Sequence, residues 1–488
     1  MRPAGSLGRQ SVAAARELVA GYRPTRADRR PAYDYAPLAE GQPLAPAGDG
    51  PAGTDLGPVL AAAADLRAGL VTSLQLVEDS LLAVEKNDAE LMAVVHLMGS
   101  AARAEAVACD AEAAAGRWRG PLHGIPVTVK DIIDVAGVPT RCGSAAYDEV
   151  PAVDAIGVAR LRAAGAIVLA KVSTHEFALG VTTPQSRNPH DQSRIPGGSS
   201  GGSAIAVSTG MGLASLGTDT RASIRVPAAL SGVVGFKPTY GSVPTAGVVP
   251  LSWTMDHVAP ITSSVADAAL VVEVLTGRHG HGLVASAGSS VAGVRVGVPE
   301  AAFAGAEPGV EACVRAVLDG LGGMGCVVSA AGRPTAGDLE LANAAGLLVS
   351  RCEAAAFHRR LGLDRSLYWD EVADQLEAAA DLSALEYLDA QTLRADLAAG
   401  LLGVFADFDV LVMPTVPAIA PPLADFARHL MLLSRNAIPW SLTGFPAVSV
   451  PCGWSEGLPV GVQVVAAPWR EDLLVTVGCA VERCRTGW

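Results

Sequence analysis

Apolar positions along the chain fall into four patterns. Residues 1 to 53 are rich in Ala, Pro, Gly and Arg and carry no sustained apolar period. They read as a partly extended N-terminal extension lying on the surface, closed by GDGPAG at 48 to 53. Helical spacing begins at Thr54, a candidate N-cap, with Pro58 in the first turn and Gly69 as the stop. A second helix is expected from a cap at Ser73. Its Leu74, Val77, Leu81 and Val84 fall on one face, and Asn87 is a candidate end. A third, Ala-rich helix runs to about Ala115 and stops at Gly116. These helices pack; they carry no chemistry.

From residue 120 the pattern changes to short apolar runs between Gly-terminated helices. Ile125 to Val129 reads as a buried strand ending at Lys130, and a helix over 154–164 leads to a strand over Ala166 to Ala170. A helix through about Thr209, a strand near Leu213 to Leu216 and another over Val233 to Phe236 follow. Residues 270 to 400 are helix-rich and less sharply patterned, and strands return at Val410–Met413, Ala447–Val450 and Val462–Val465. Strands alternating with helices predict an α/β fold: a single large mixed, mostly parallel β-sheet with helices on both faces. No linker separates two units within 54–488, so that stretch is read as one domain.

Composition narrows the class. Of the 488 residues 50% are apolar and 17% charged, which suits a large globular core. A net charge of −13 argues against nucleic-acid binding as the main activity. No stretch reaches the roughly 18 uninterrupted apolar residues of a membrane span, and Arg9, Arg16 and Glu17 interrupt any leader-like core. The expected location is cytoplasmic. The eight cysteines are scattered without a C-x-x-C pair, so free thiols are expected rather than a zinc site or a disulfide framework.

The chemistry concentrates in residues 196 to 240. Gly197 to Ser203 contains only Gly and Ser, and a second small-residue turn runs from Thr218 to Ser223. Two serine-bearing loops one helix apart suggest two hydroxyls meeting in one site. A serine hydroxyl needs a base within hydrogen-bond reach to attack a carbonyl. No His lies in either loop, whereas Lys130 ends an apolar strand, where residues of α/β sheets line the ligand crevice. A buried lysine serves as base if burial keeps it neutral. Asp131 and Asp134 would oppose this by favouring the charged form.

The segments GIPVTVKDIIDVAGVPTRCGS, RIPGGSSGGSAIAVSTG, GTDTRASIRVPAALSGVVGFKPTYG and LTGFPAVSVPCGWSEGLPVGVQVV resemble the amidase signature family, in that family's order. The resemblance covers about residues 54 to 488, with a signature core over about 118–270 and a variable helical, substrate-side region over about 271–435. It implies a Ser-cisSer-Lys triad: Ser223 as nucleophile, Ser199 as the bridging serine with a cis peptide bond, Lys130 as base. It also implies an oxyanion hole from backbone N–H groups of Thr220, Arg221, Ala222 and Ser223, and a small-molecule amide as substrate. No cofactor and no metal are expected, and a homodimer is compatible with the sequence.

The sequence departs from the family's Thr-Gly-Gly-Ser, which is here Thr220-Arg221-Ala222-Ser223. Arg at a position needing positive φ costs roughly 1 kcal/mol or more, whereas Ala for the second Gly reads as a small change. Arg221 either points away into a salt bridge, faces the pocket and selects an acidic or carbonyl-rich substrate, or marks an impaired site. Three functions compete accordingly. The first is a stand-alone amidohydrolase working through a Ser223 acyl-enzyme. The second is the amidase subunit of a tRNA-dependent amidotransferase, against which Val226 stands where that subunit type typically has Gln. The third is a non-catalytic scaffold.

Other motifs are weaker. Gly198-Ser199-Ser200-Gly201-Gly202 satisfies G-x-S-x-G, but none of His257, His279, His281, His358 and His429 has a supporting signature. The pair His279/His281 lacks a nearby third metal ligand, and His175-Glu176 lacks the second His of H-E-x-x-H. Asp219 and Arg225 flank the nucleophile and are expected to hold its loop. Lys237 is read as structural.

Overall fold

The computed structural model describes residues 5–22, 57–277 and 282–485. Eleven strands form one sheet: Val94–Leu97 (β1), Pro126–Lys130 (β2), Ile167–Val172 (β3), Ala214–Asp219 (β4), Val234–Lys237 (β5), His257–Thr262 (β6), Arg295–Pro299 (β7), Val327–Ala331 (β8), Val410–Pro414 (β9), Ala447–Ser455 (β10) and Leu458–Ala466 (β11). Their order across the sheet is β1-β3-β2-β4-β6-β5-β10-β11-β9-β7-β8. The single large mixed sheet is the one expected. Its parallel share is smaller than expected: parallel pairing is confined to β3-β2-β4 and β9-β7-β8, and the centre from β4 through β6, β5, β10 and β11 to β9 is antiparallel.

β2, β3 and β4 are buried at every position, even where they carry Lys130, Lys171 and Asp219. Four strands escaped the sequence pattern for local reasons. β1 is a short edge strand of alternating exposure, and β8 at the opposite edge is largely exposed. β6 contains Pro260, which argues against a central strand from sequence, and β7 lies in the weakly patterned region.

Three helix boundaries differ from expectation. The first helix starts at Pro58 after Gly57, and Thr54 lies outside the described residues. The second is capped by Thr72 through a capping box with Gln75, and it runs past Asn87 to Leu91. The N-terminal extension is also corrected in part. Residues Gly5–Gly21 form a helix whose Val12, Ala15 and Val19 are buried in one cluster with Ala345, Leu348 and Leu393. Arg16 pairs with Glu386 and the Tyr22 hydroxyl donates to Asp396. Val12, Ala15 and Val19 stand at i, i+3 and i+7, a helical stripe legible in the sequence and short of the sustained period expected of a helix. Residues 23–56 lie outside the described residues. Among the described residues no helix is long and apolar enough to cross a membrane.

Candidate active site

The parallel trio β3-β2-β4 brings the C-terminal ends of three strands to one sheet edge, with Lys130, Val172 and Asp219 as their last residues. The Gly/Ser loop lies over those ends. Its glycines serve space more than angle: only Gly197 of the run has positive φ (78°). A Cβ on Gly198 would stand 2.2 Å from the Thr182 carbonyl oxygen, and one on Gly202 2.5 Å from the Ser173 nitrogen. The backbone is thereby pressed against the strand ends.

Lys130 is fully buried, and its Nζ lies 2.7 Å from Ser199 Oγ, 2.9 Å from Ser200 Oγ and 2.8 Å from Thr218 Oγ1. It makes no ion pair among the described residues. Burial lowers its pKa to about 7, against a raising influence from Asp256 and Asp219. The sequence neighbours expected to oppose this are engaged elsewhere. Asp131 pairs with Lys171 at 2.9 Å, and Asp134 accepts from Thr140 Oγ1 at 2.9 Å. The carboxylates that act on Lys130 come instead from distant parts of the chain.

The two serine loops meet. The Gly198–Ser199 peptide is cis. The Ser199 carbonyl accepts from the His175 N–H at 3.2 Å and from Thr183 Oγ1 at 3.3 Å. Ser200 N–H donates to the Ser223 carbonyl at 3.2 Å, joining the loops directly. Ser200 Oγ donates to the Thr218 carbonyl at 3.1 Å, so its proton is committed and its oxygen accepts from Lys130. Ser223 itself is buried, immediately before the helix Arg225–Ser231.

Asp219 organises the loop that carries Ser223. Its carboxylate accepts from Ala222 N–H (2.9 Å), Ile224 N–H (3.3 Å), Ser441 Oγ (2.8 Å) and the Arg225 guanidinium (2.9 and 3.1 Å). Burial alone would raise this carboxyl, but Arg225 outweighs it and holds it far below the usual range. Arg225 spends its remaining donors on Gln463 Oε1 and Ser441 Oγ, each at 2.6 Å. This is the holding role expected of the pair. It also removes Ala222 from the expected oxyanion donors, because its N–H already points at Asp219. Thr220 is held from the other side: its Oγ1 donates to Asp256 at 2.6 Å, and Asp256 also accepts from Leu251 and Ser252 N–H. Burial pushes Asp256 up to about 7.

Arg221 departs from two expectations. The positive φ of the loop falls one residue later, on Ala222 (126°), so the backbone strain lies at the Ala and not at the Arg. Nor does Arg221 point into a salt bridge. It is 8% exposed, its Nε and Nη2 have no hydrogen-bond partner, and no ion pair reaches it among the described residues. Burial lowers its pKa to about 10.

The remaining candidates are structural. Lys237 Nζ lies 3.2 Å from His257 Nε2 and donates to the Pro238 carbonyl at 3.1 Å. His175 Nε2 lies 2.7 Å from Glu371, and Glu176 accepts from Ser144 Oγ and Trp369 N–H. His279 and His281 lie outside the described residues. All eight cysteines are free, five of them buried. Sequence reasoning missed Thr218, Asp256 and Thr183. Asp256 stands 36 residues from the Thr220 it anchors, and no local motif links them.

The amidase family model matches residues 75–475 of this chain. The chain belongs to the amidase signature family. It is 36% identical over 448 residues to an amidase of Pseudomonas putida, covering 86% of this chain and 94% of that one. It is 35% identical over 471 residues to a subunit of the glutamyl-tRNA(Gln) amidotransferase of Chloroflexus aurantiacus, covering 88% and 96%. A solved amidase structure superposes with a TM-score of 0.81 at 36% identity, covering 88% of this chain and all of that one. The fold is that of the family, and the chain is a hydrolase of amide carbon–nitrogen bonds.

Proposed function

We propose that this member works as a stand-alone amidohydrolase in which Ser223 is the nucleophile, Ser199 the proton relay and Lys130 the base. One observation carries this reading: a fully buried amine 2.7 Å from Ser199 Oγ, surrounded by hydroxyls and without a paired carboxylate. Above about pH 7 the Lys130 amine is neutral and has one lone pair. Ser200 accepts from it, so Ser199 is free to donate its proton into that lone pair. Ser199 then takes the proton of Ser223 as the Ser223 oxygen bonds to the substrate carbonyl carbon. Backbone N–H groups of Thr220, Arg221 and Ser223 face the developing oxyanion, each worth about 3–4 kcal/mol in such a role. Collapse breaks the carbon–nitrogen bond while the proton returns through Ser199 to the leaving amine. Water repeats the sequence on the ester and frees the acid. The substrate is a small-molecule amide, and the −13 charge supports that over a nucleic-acid partner.

A fluorophosphonate probe tests the nucleophile. Wild type is expected to label and Ser223→Ala not to; equal labelling of both sinks the reading. The second reading is an amidotransferase component, favoured by the similarity to the Chloroflexus aurantiacus protein. It predicts co-purification with a partner and glutamine-dependent transfer, and hydrolysis by the purified chain alone argues against it.

A further inference from the structure

Two buried guanidinium groups leave donor nitrogens without acceptors among the described residues. Arg221, two residues before Ser223, leaves Nε and Nη2 unbonded; Arg351, on the helix Ala336–Leu361, leaves Nη1 unbonded. Their exposures are 8% and 5%. Arg351 spends its Nε on Gln375 Oε1 at 2.7 Å; Glu371 acts on it electrostatically but makes its ion pair with His175, at 2.7 Å. After burial, the charge of Arg221 depresses Arg351, and the charge of Glu371 offsets this in part.

Both are linked to the serine loops through neighbouring residues. Glu353 on the Arg351 helix accepts from Ser252 Oγ (2.8 Å) and Thr254 Oγ1 (2.7 Å), and Asp256 of that same loop holds Thr220. From the other side, the Glu371 partner His175 donates its N–H to the Ser199 carbonyl. The helices that carry Arg351 and its partner Gln375 are thus tied to both serine loops. Two like charges held together out of water, with donors unspent, are unfavourable unless an anion joins them. A planar guanidinium pair matches a carboxylate.

We propose that Arg221 and Arg351 together bind a carboxylate on the substrate, so that the amide cleaved at Ser223 is an acidic one. Its role in turnover rests on the hydrolase reading above; the binding itself does not. The test is calorimetric binding to Ser223→Ala in chloride-free buffer. The ligands are ω-carboxyl primary amides from malonamate to adipamate, each against the neutral amide of equal length, and N-acetylglycine against N-ethylacetamide. At least one acid is expected to bind 100-fold or more tighter than its neutral match. Arg221→Met and Arg351→Met should each reduce that preference at least tenfold, and Arg351→Lys by less.

The ligand-free melting temperature of the Arg→Met variants is expected to hold or rise by about 1–2 °C, since each removes an unpaired buried cation. No preference at any length overturns the proposal, as does inorganic phosphate or chloride binding as tightly as the best acid. A large fall in melting temperature assigns the arginines to the fold instead, with Arg351→Gln as the second variant if Met does not fold. Fluorophosphonate labelling of wild type reports the hydrolase reading separately. A strong acid preference with no labelling would keep the subsite and lose the reaction.

Discussion

Arg221 in the loop and Arg225 at the start of the helix that follows stand four positions apart, both out of water, and differ in everything else. Arg225 is held by Asp219, Gln463 and Ser441. Arg221 has donors with no acceptor. Two lysines on adjacent parallel strands repeat the contrast. Lys171 pairs with Asp131 at 2.9 Å, while Lys130 faces three hydroxyls and no paired acid. A buried cation with its anion supplied by the chain belongs to the fold. One whose anion is missing is poised to change protonation state, as Lys130 is, or to meet a ligand. The identity of the residue does not separate these cases; its partners do.

The comparison breaks most visibly at Asp219. Asp219→Ala strands the Arg225 charge and removes the acceptor for two loop N–H groups, so a loss of about 3–5 kcal/mol is expected by urea denaturation. A loss below about 1 kcal/mol would mean the partnered cation is not structural. On the unpartnered side, Lys130→Ala should lower amide hydrolysis by about 10²–10⁴-fold, with esters affected less because their leaving group needs no proton. Near-isosteric Lys130→Met should leave the melting temperature unchanged or higher, and a clear fall would erase the distinction from Lys171.

The pH profile sharpens the contrast further. Lys130 titrates near 7 and accepts a proton only when neutral, so kcat/KM should fall about tenfold per pH unit below about 7 and level off above it. Asp256 raises the Lys130 pKa, so Asp256→Asn should move that acid limb to lower pH. A limb that stays in place would assign it to another group. The smallest effect is expected for Arg221→Gly, which should reorder the preferred substrates; loss of folded protein on that change would place Arg221 with Arg225.

Much of the site was legible because the groups proposed to react stand in short, chemically restricted segments. Lys130 closes an apolar strand, and Ser199 and Ser223 sit in runs of small residues. What could not be read was which charges face which. Asp131 and Asp134 are close to Lys130 in sequence, yet a strand places successive side chains on opposite faces, and Asp131 turns to Lys171. Asp256 reaches Thr220 only because β6 pairs antiparallel with β4. The helix Gly5–Gly21 does carry a stripe, Val12, Ala15 and Val19 at helical spacing, but only the structure shows which helices it packs on.

By itself the sequence determined the α/β layering, most of the buried strands and the three groups proposed to carry the reaction. Each is written in local periodicity or in residues with few conformational alternatives. Only the tertiary structure decided the lowered pKa of Lys130, the engagement of the Ala222 N–H by Asp219 and the burial of Arg221 and Arg351 with donors unspent. Those depend on burial and on distances between residues far apart in the chain, and electrostatic energy follows distance and solvent access rather than sequence order.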